Sequence, residues 1–415
     1  MTRSISSHKL FGTILIPPSK SDAQRALLAA SLSKEMTQIY NLGQSDDERS
    51  MLQNIEVLGA RVVDRHDYLE IQGPLSSNDS LSINVGESGL GLRLLTPVTL
   101  VFSANVSIDG KGSLLFRSQR FLEQQLVDLG VKVNSNKGFL PLHIKGNLKS
   151  GKHTLDGSIS SQFLSGLLMT FPLLEEDTEL TVENLRSIPY VKMTLNTLAS
   201  FGIQIEQRAF EYFYIKGNQK YLGTKYAVEG DWSSASYWLV AAALGHKVNV
   251  LGLSLESEQA DKAILDALET ANCVIKIDEG GITVDGTSRT AFTFDCTHCP
   301  DLFPALVSFA AHCDGVSILS GADRLIHKES NRALALVEEF SKLGIEVFFE
   351  DNTLSVKGGK INGGQNLQSH NDHRIAMCLA IASLSATEPN EISHANSVDK
   401  SYPSFWNHLE ELTIL

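Results

Sequence analysis

Six segments of this chain share one design: SKSDAQRALLAASL from Ser19, GESGLGLRLLTPV from Gly86, SSQFLSGLLMTFPL from Ser160, DWSSASYWLVAAAL from Asp231, DLFPALVSFAAHC from Asp301 and NDHRIAMCLAIASL from Asn371. In each, a short polar cluster runs into a small, apolar, helix-like stretch. Between Ser21, Ser88, Ser160, Asp231, Asp301 and Asp372 the intervals run from 67 to 72 residues. So regular a period argues for one structural unit used six times. Helix N-termini present unsatisfied N–H groups and a partial positive charge, so six that converged would make a rich anion-binding surface.

A second series supports the first. The stretches VLGARV, DLGVKV, SFGIQI, TANCVI and KLGIEV end amphipathic helices at Gly59, Gly130, Gly202, Asn272 and Gly344 and lead into short strands. These are the residues that enter the left-handed region at a helix end most readily. A sixth helix, SYPSFWNHLEEL from Ser401, has no strand after it. The extended segment at residues 8–16 is expected to supply that strand, which would make the two chain ends neighbours.

Units of about 70 residues are too small to stand as separate domains, so they must share cores. Two groups of three are preferred over one ring of six. With 42% apolar and 20% charged residues the chain has an ordinary globular composition. No apolar run reaches the ~20 residues of a membrane span, and the N-terminus lacks a signal-peptide core, so a cytoplasmic location is expected. The net charge of −13 argues against nucleic acid as a partner. Five dispersed cysteines suggest a reducing compartment. Cys296-Thr-His298-Cys299, with His312-Cys313 beyond, offers zinc-ligand residue types, but a buried turn is the default and no metal is expected.

The polar clusters carry basic residues suited to two anions: Lys20, Arg25, Arg93, Arg120, Lys328, Arg332, Arg374 and Lys400. Arginine forks grip phosphate and carboxylate bidentately, while lysine acts as a point charge. Lys328 and Arg332, four apart, are expected on one helical face. Alone, each cation reads as a solvated helix-end charge; their recurrence at equivalent junctions argues otherwise. Asp301 at a helix start and Glu329 between two cations read either as a cap and a salt-bridge partner, or as carboxylates for proton transfer. Asp46 and Asp47 are expected to cap the helix that ends at Gly59. PPSKS lacks the glycines of a nucleotide phosphate loop, and no dinucleotide fingerprint follows a strand. Gly358-Gly359 and Gly363-Gly364 read as hairpin turns.

Together PPSKSDAQRALL, SDDERSML, DGSISSQFLSGLLMTFPL, VEGDWSSASYWLVAAA, HKESNRA, NDHRIAMC and DKSYPSFW resemble the enolpyruvyl transferases, most closely the 5-enolpyruvylshikimate-3-phosphate synthase family, over residues 12–412. The resemblance implies an α/β fold of two similar domains, each of three βαβαββ units with buried helices, an inside-out α/β barrel, and an active site in the interdomain cleft. It places one domain at 20–226 and the other at 1–19 plus 227–415. It implies transfer of the enolpyruvyl group of phosphoenolpyruvate to the 5-hydroxyl of shikimate 3-phosphate, with release of phosphate. No metal or organic cofactor is implied, and a monomer is expected.

By the same resemblance, Lys20, Ser21 and Arg25 match shikimate-phosphate contacts, with Lys20 also reaching phosphoenolpyruvate and counted as catalytic. Ser160, Ser161, Gln162, Ser187 and Tyr190 match further contacts to the phosphorylated sugar acid. Gly89, Arg120, Gln162, Arg332, Arg374 and Lys400 match the phosphoenolpyruvate site. Asp301 matches the base for the hydroxyl proton, Glu329 the acid/base at C3, and Lys328 and Arg324 substrate contacts. Glu87 and Leu90 depart from the family pattern, which commonly has Asn and Thr there. Glu87 is expected to turn away from the anion or to pair with an arginine such as Arg93. The sister transferase acting on a UDP-amino sugar usually carries a reactive cysteine in a loop that here reads DGKGSLLFRSQR, without one. A non-catalytic anion-binding scaffold on the same fold is the reading from outside enzymology.

Overall fold

In the computed structural model, residues 1–73 and 79–413 are described; residues 414–415, the end of the second expected domain, lie outside them. The helices are α1 (Lys20–Leu32), α2 (Asp46–Val57), α3 (Gly89–Phe102), α4 (Arg120–Asp128), α5 (Ser161–Thr170), α6 (Ile188–Ser200), α7 (Trp232–Ala243), α8 (Ile264–Thr270), α9 (Phe303–Ala310), α10 (Arg332–Lys342), α11 (His373–Ser383) and α12 (Phe405–Leu412). The chain forms two compact units, Pro18–Glu229, and Met1–Pro17 together with Gly230–Leu415.

Pro18–Glu229 carries three four-stranded sheets of one pattern. Leu81–Asn84 runs parallel to Asn105–Asp109, which pairs antiparallel with Phe139–Lys145, and that with Lys132–Asn136. The same order recurs in Gly151–Asp156, Thr178–Glu183, Tyr212–Ile215 and Ile205–Arg208. In the third sheet the leading strand is Lys225–Ala227, from the far end of the unit, beside Thr37–Tyr40, Tyr68–Gln72 and Arg61–Asp64. The chain therefore closes the unit on itself. Helices α1, α3 and α5 lie buried nearly end to end, with Leu27, Leu94, Leu95, Leu164 and Leu168 inaccessible to solvent. A helix apolar all round is stable only in such a place. Small residues let these helices approach: a Cβ on Gly166 of α5 would lie 2.4 Å from the Arg93 carbonyl of α3.

The other unit repeats the plan. Phe11–Leu15 leads the sheet of Lys247–Leu251, Gly281–Asp285 and Val274–Asp278. Thr293–Asp295 leads that of Val316–Ser320, Thr353–Lys357 and Glu346–Glu350. The last sheet has three strands: Asn366–Gln368 parallel to Asn390–Ser393, then Thr2–Ile5 antiparallel. Helices α7, α9 and α11 are the buried ones. None of the six sheets closes into a barrel among the described residues.

The chain ends do meet, but not by the expected strand. Thr2–Ile5 completes the sixth sheet, whereas Phe11–Leu15, within residues 8–16, leads the fourth; Leu10 bridges only to Thr413. The parallel place beside Lys247–Leu251 falls to Phe11–Leu15, while the strand just upstream, Lys225–Ala227, pairs with Thr37–Tyr40. The five helix-terminating residues all have positive φ, from 62° at Asn272 to 97° at Gly59. The hairpin before Gly358 turns instead at Asp351-Asn352, with φ of 45° and 63°. Gly358 and Gly359 bond back to Gly315 and Ala311.

Candidate active site: two cation-rich clusters at helix starts

In Pro18–Glu229 the first cluster gathers at the starts of α1, α3, α5 and α6. Ser19 caps α1, Ser88 caps α3 and Ser160 caps α5, each accepting a backbone N–H of the first turn. Their side chains thus satisfy some of the amides a helix start leaves open. Arg25, one turn into α1, is 1% exposed. Its Nε donates to Thr194 Oγ1 at 2.8 Å, and its terminal nitrogens donate to the Ser21 carbonyl at 2.7 Å and the Tyr190 carbonyl at 3.3 Å. Burial draws the guanidinium down to about 10, against the opposing charge of Asp22, so it stays cationic at neutral pH. Lys20 pairs with Asp47 at 3.0 Å. The α2 cap is Ser45, in a reciprocal box with Glu48, which frees Asp47 to face the lysine; the expected capping role of Asp46 and Asp47 is therefore corrected.

Asp22 holds the closing strand of the unit. Tyr226 Oη donates to it at 2.6 Å and the Glu229 amide at 3.0 Å. Burial pushes its carboxyl up to about 6, the two hydrogen bonds opposing. Thr194 donates to Ser165 and so links α6 to α5 below Arg25. Ser187 is buried in left-handed geometry ahead of α6, and Ser161 is buried in α5.

Over the start of α3, two guanidiniums approach Gly89. A Cβ there would lie 3.0 Å from an Arg93 nitrogen and 3.0 Å from one of Arg117. Arg93 also donates to the Gly89 carbonyl at 2.9 Å and to Gln162 Oε1 at 3.3 Å. Arg120 starts α4 and is exposed, its stem packed on Gly138. Glu87 accepts from the amide and hydroxyl of Ser113 at 2.8 and 2.6 Å. The divergent carboxylate thus braces the loop that carries Arg117.

In the other unit the second cluster gathers at α7, α9, α10 and α11. Asp301 is not a cap. It sits in a 3-10 turn, Pro300–Leu302, with no capping bond. Its Oδ1 lies 3.1 Å from Lys328 Nζ and 2.8 Å from an Arg332 nitrogen, and its Oδ2 3.2 Å from Arg374. Burial raises the carboxyl, but Arg374, Lys328 and Arg332 outweigh it and hold the group well below the usual carboxylate range. Arg332 is fully buried and serves as the hub. It bonds Asp372 through Nε at 2.9 Å and through a terminal nitrogen at 3.2 Å, and it pairs with Asp301 and Glu329. Burial lowers its proton affinity, and Asp372, Glu329 and Asp301 more than reverse that.

Lys328 and Arg332 do not share a helical face. Asn331 caps α10, so the helix begins at Arg332 and Lys328 lies in the turn before it; both still reach Asp301. Burial lowers Lys328, with Asp301 opposing. Arg324, 9% exposed, lies within the field of Lys328. Asp372 caps α11 at the Arg374 amide and accepts from Ser330. Lys400 donates to the Asn371 carbonyl at 2.7 Å. His312 uses its ring nitrogens on Ser308 and Ser385, and Cys299 bonds back to Cys296 in a buried turn.

Sequence reading missed Thr194 and Arg117, and it missed Asp47 and Asp372 as the partners of Lys20 and Arg332. Asp372 had a signal in its place between His370 and Arg374; Thr194 had none outside the fold.

Such clusters suit anionic small molecules whose charge must be balanced and whose protons must be moved by carboxylates. The family model for EPSP synthase (3-phosphoshikimate 1-carboxyvinyltransferase) matches residues 6–409. The chain is 40% identical over 410 residues to the 3-phosphoshikimate 1-carboxyvinyltransferase of Clostridium acetobutylicum, covering 97% of this chain and 95% of that one. It is 38% identical over 413 residues to the protein of the same name from Clostridium botulinum, with shares of 97% and 95%. The solved EPSP synthase of Acinetobacter baumannii superposes with a TM-score of 0.80 at 23% identity, covering 99% of this chain and 98% of that one.

Proposed function

The chain belongs to the EPSP synthase family, and from that premise we propose that it acts on two anionic substrates. It transfers the enolpyruvyl group of phosphoenolpyruvate to the 5-hydroxyl of shikimate 3-phosphate and releases phosphate. The hydroxyl oxygen bonds to C2 while C3 gains a proton. Loss of that proton and of phosphate from the tetrahedral intermediate then restores the double bond.

In this reading Arg25, Ser21, Ser160, Ser161, Gln162, Ser187 and Tyr190 hold the phosphorylated sugar acid. Lys20, Gly89, Arg93, Arg117, Arg120, Arg324, Arg332, Arg374 and Lys400 serve the anionic groups of the two substrates. The observation that carries the reading is the bracketing of Asp301 by Lys328, Arg332 and Arg374, with Glu329 on the same hub. With three cations in contact Asp301 is a weak base. Incoming anions divide the attention of those cations, and its basicity rises when the hydroxyl is in place. Glu329, held by Arg332, handles the C3 proton. Positioning and charge balance carry the reaction. The protein works as a cytoplasmic monomer in this proposal.

The test is phosphate release from phosphoenolpyruvate with shikimate 3-phosphate, against UDP-N-acetylglucosamine as acceptor. Turnover with the first alone is expected, and Asp301→Asn and Glu329→Gln should each lower kcat by about 10²-fold or more, the scale of general acid–base catalysis. Wild-type turnover in both variants would remove the two carboxylates from the mechanism.

A further inference from the structure

One buried carboxylate beside the second cluster has no place in that mechanism. Asp261 lies in the 3-10 turn Ala260–Ala263 and is 1% exposed. Its turn is stitched to the start of α7. Gln259 accepts from the Trp232 amide at 3.1 Å and donates to the Gly230 carbonyl at 2.8 Å. Asp261 Oδ2 accepts from the Ser233 hydroxyl. Its Oδ1 is buried and has no hydrogen-bond partner among the described residues.

A buried carboxylate oxygen without a partner is costly for the charged form, and a stitched turn cannot turn it out to water. Beyond its bond to Ser233, Asp261 interacts electrostatically with Asp231 at the start of α7, Arg374 of α11, and Asp301 and Cys299 in the turn before α9. Arg374 is the only cation among these, and it also touches Asp301. Two carboxylates therefore draw on one guanidinium, and an anion arriving at that guanidinium makes a third claim on it.

We propose that Asp261 is a positioning residue for the anion held by Arg374: it is a carboxylate while that place is empty and takes one proton from solvent when an anion fills it. The proposal rests on reading Arg374 as part of the phosphoenolpyruvate site. The chemistry is one proton transfer, forming one O–H bond on Asp261. Ser233 accommodates either state, because its hydroxyl donates to the carboxylate and its oxygen can accept from the acid. Burial pushes Asp261 up to about 7, with Arg374 opposing and Asp301 adding to the rise.

The test uses inorganic sulfate, an anion that does not titrate near neutral pH, as an inhibitor competing with phosphoenolpyruvate in the full-length enzyme. Because a proton accompanies the anion, the wild-type inhibition constant should rise by about tenfold from pH 6 to pH 8, the limit for one linked proton near pH 7. Asp261→Asn, neutral and of the same shape, should give a flat profile and tighter sulfate inhibition at pH 8. Ser233→Ala, which removes a bond to the charged form, should move the wild-type inflection to higher pH. Parallel profiles for wild type and Asp261→Asn, or an inflection unmoved in Ser233→Ala should the first variant fail to fold, would overturn the proposal. Asp301→Asn, assayed alongside, separates the two ideas. If it turns over normally, the site reading fails; if it is inactive while the sulfate profiles run parallel, only the role of Asp261 fails.

Discussion

Arg332→Met is the substitution that most directly probes how the second cluster is held together. Methionine nearly fills the volume of the arginine stem but removes a cation bonded to Asp372 twice and to Asp301 and Glu329 once each. Arg332 and Asp372 both have side chains fully shielded from solvent, so the orphaned carboxylate cannot be rehydrated without opening the core. Breaking a buried pair from one side costs about 3–5 kcal/mol. With a urea dependence of about 3 kcal/mol per molar for a unit of this size, the midpoint should fall by roughly 1–2 M. The three tryptophans, Trp232, Trp238 and Trp406, all lie in this unit, so intrinsic fluorescence reads its unfolding alone. Arg332→Met/Asp372→Asn should recover much of the loss, since the double variant has no unpaired charge at that position. A single variant within about 1 kcal/mol of wild type, or a double variant no better than the single, would refute the hub.

Two further outcomes follow from particular contacts. Gly89→Ala places a methyl 3.0 Å from nitrogens of both Arg93 and Arg117; these are ends of flexible side chains, so the fold should persist. Steady-state kinetics should show the KM for phosphoenolpyruvate rising about tenfold, with a smaller change in kcat, as displaced guanidiniums lose alignment; an unchanged KM would separate this loop from the anion site. His246 is pushed down to about 4 by burial, with Lys9 adding to the effect, and its Nδ1 accepts from the Leu10 amide. Its folded proton affinity is below the unfolded one, so stability is lost as pH falls from about 6.5 toward 4, by up to about 3 kcal/mol. His246→Gln should flatten the melting temperature over that interval, and an unaltered acid dependence would assign the effect elsewhere.

The sixfold rhythm was legible because each repeat spends its cap residues and its apolar helix in the same local way. Ser88, Ser160, Asp231 and Asp372 cap the helices whose starts they mark, and Asn272 takes the left-handed position its glycine counterparts take. Local chemistry decides such features. Partner choice across the fold is not local. Nothing near Thr2 distinguishes a strand for the sixth sheet from one for the fourth, because both alternate in the same way. Lys20 meets Asp47 only because Ser45 and Glu48 take the cap of α2 between themselves. Asp301 resembled a cap until the 3-10 turn before α9 took its side chain out of capping geometry and into the cations. Asp261, in an ordinary polar stretch, becomes notable only through its burial.

The borrowed strands set an order on the making of the molecule. Every partner of the Pro18–Glu229 sheets lies within that stretch, so this unit can close once Lys225–Ala227 has been synthesised. The first seventeen residues cannot settle so soon. Phe11–Leu15 waits for Lys247–Leu251, and Thr2–Ile5 for Asn390–Ser393. These two strands are made well before their partners, and Thr2–Ile5 stays an exposed pairing edge until Asn390–Ser393 has been synthesised.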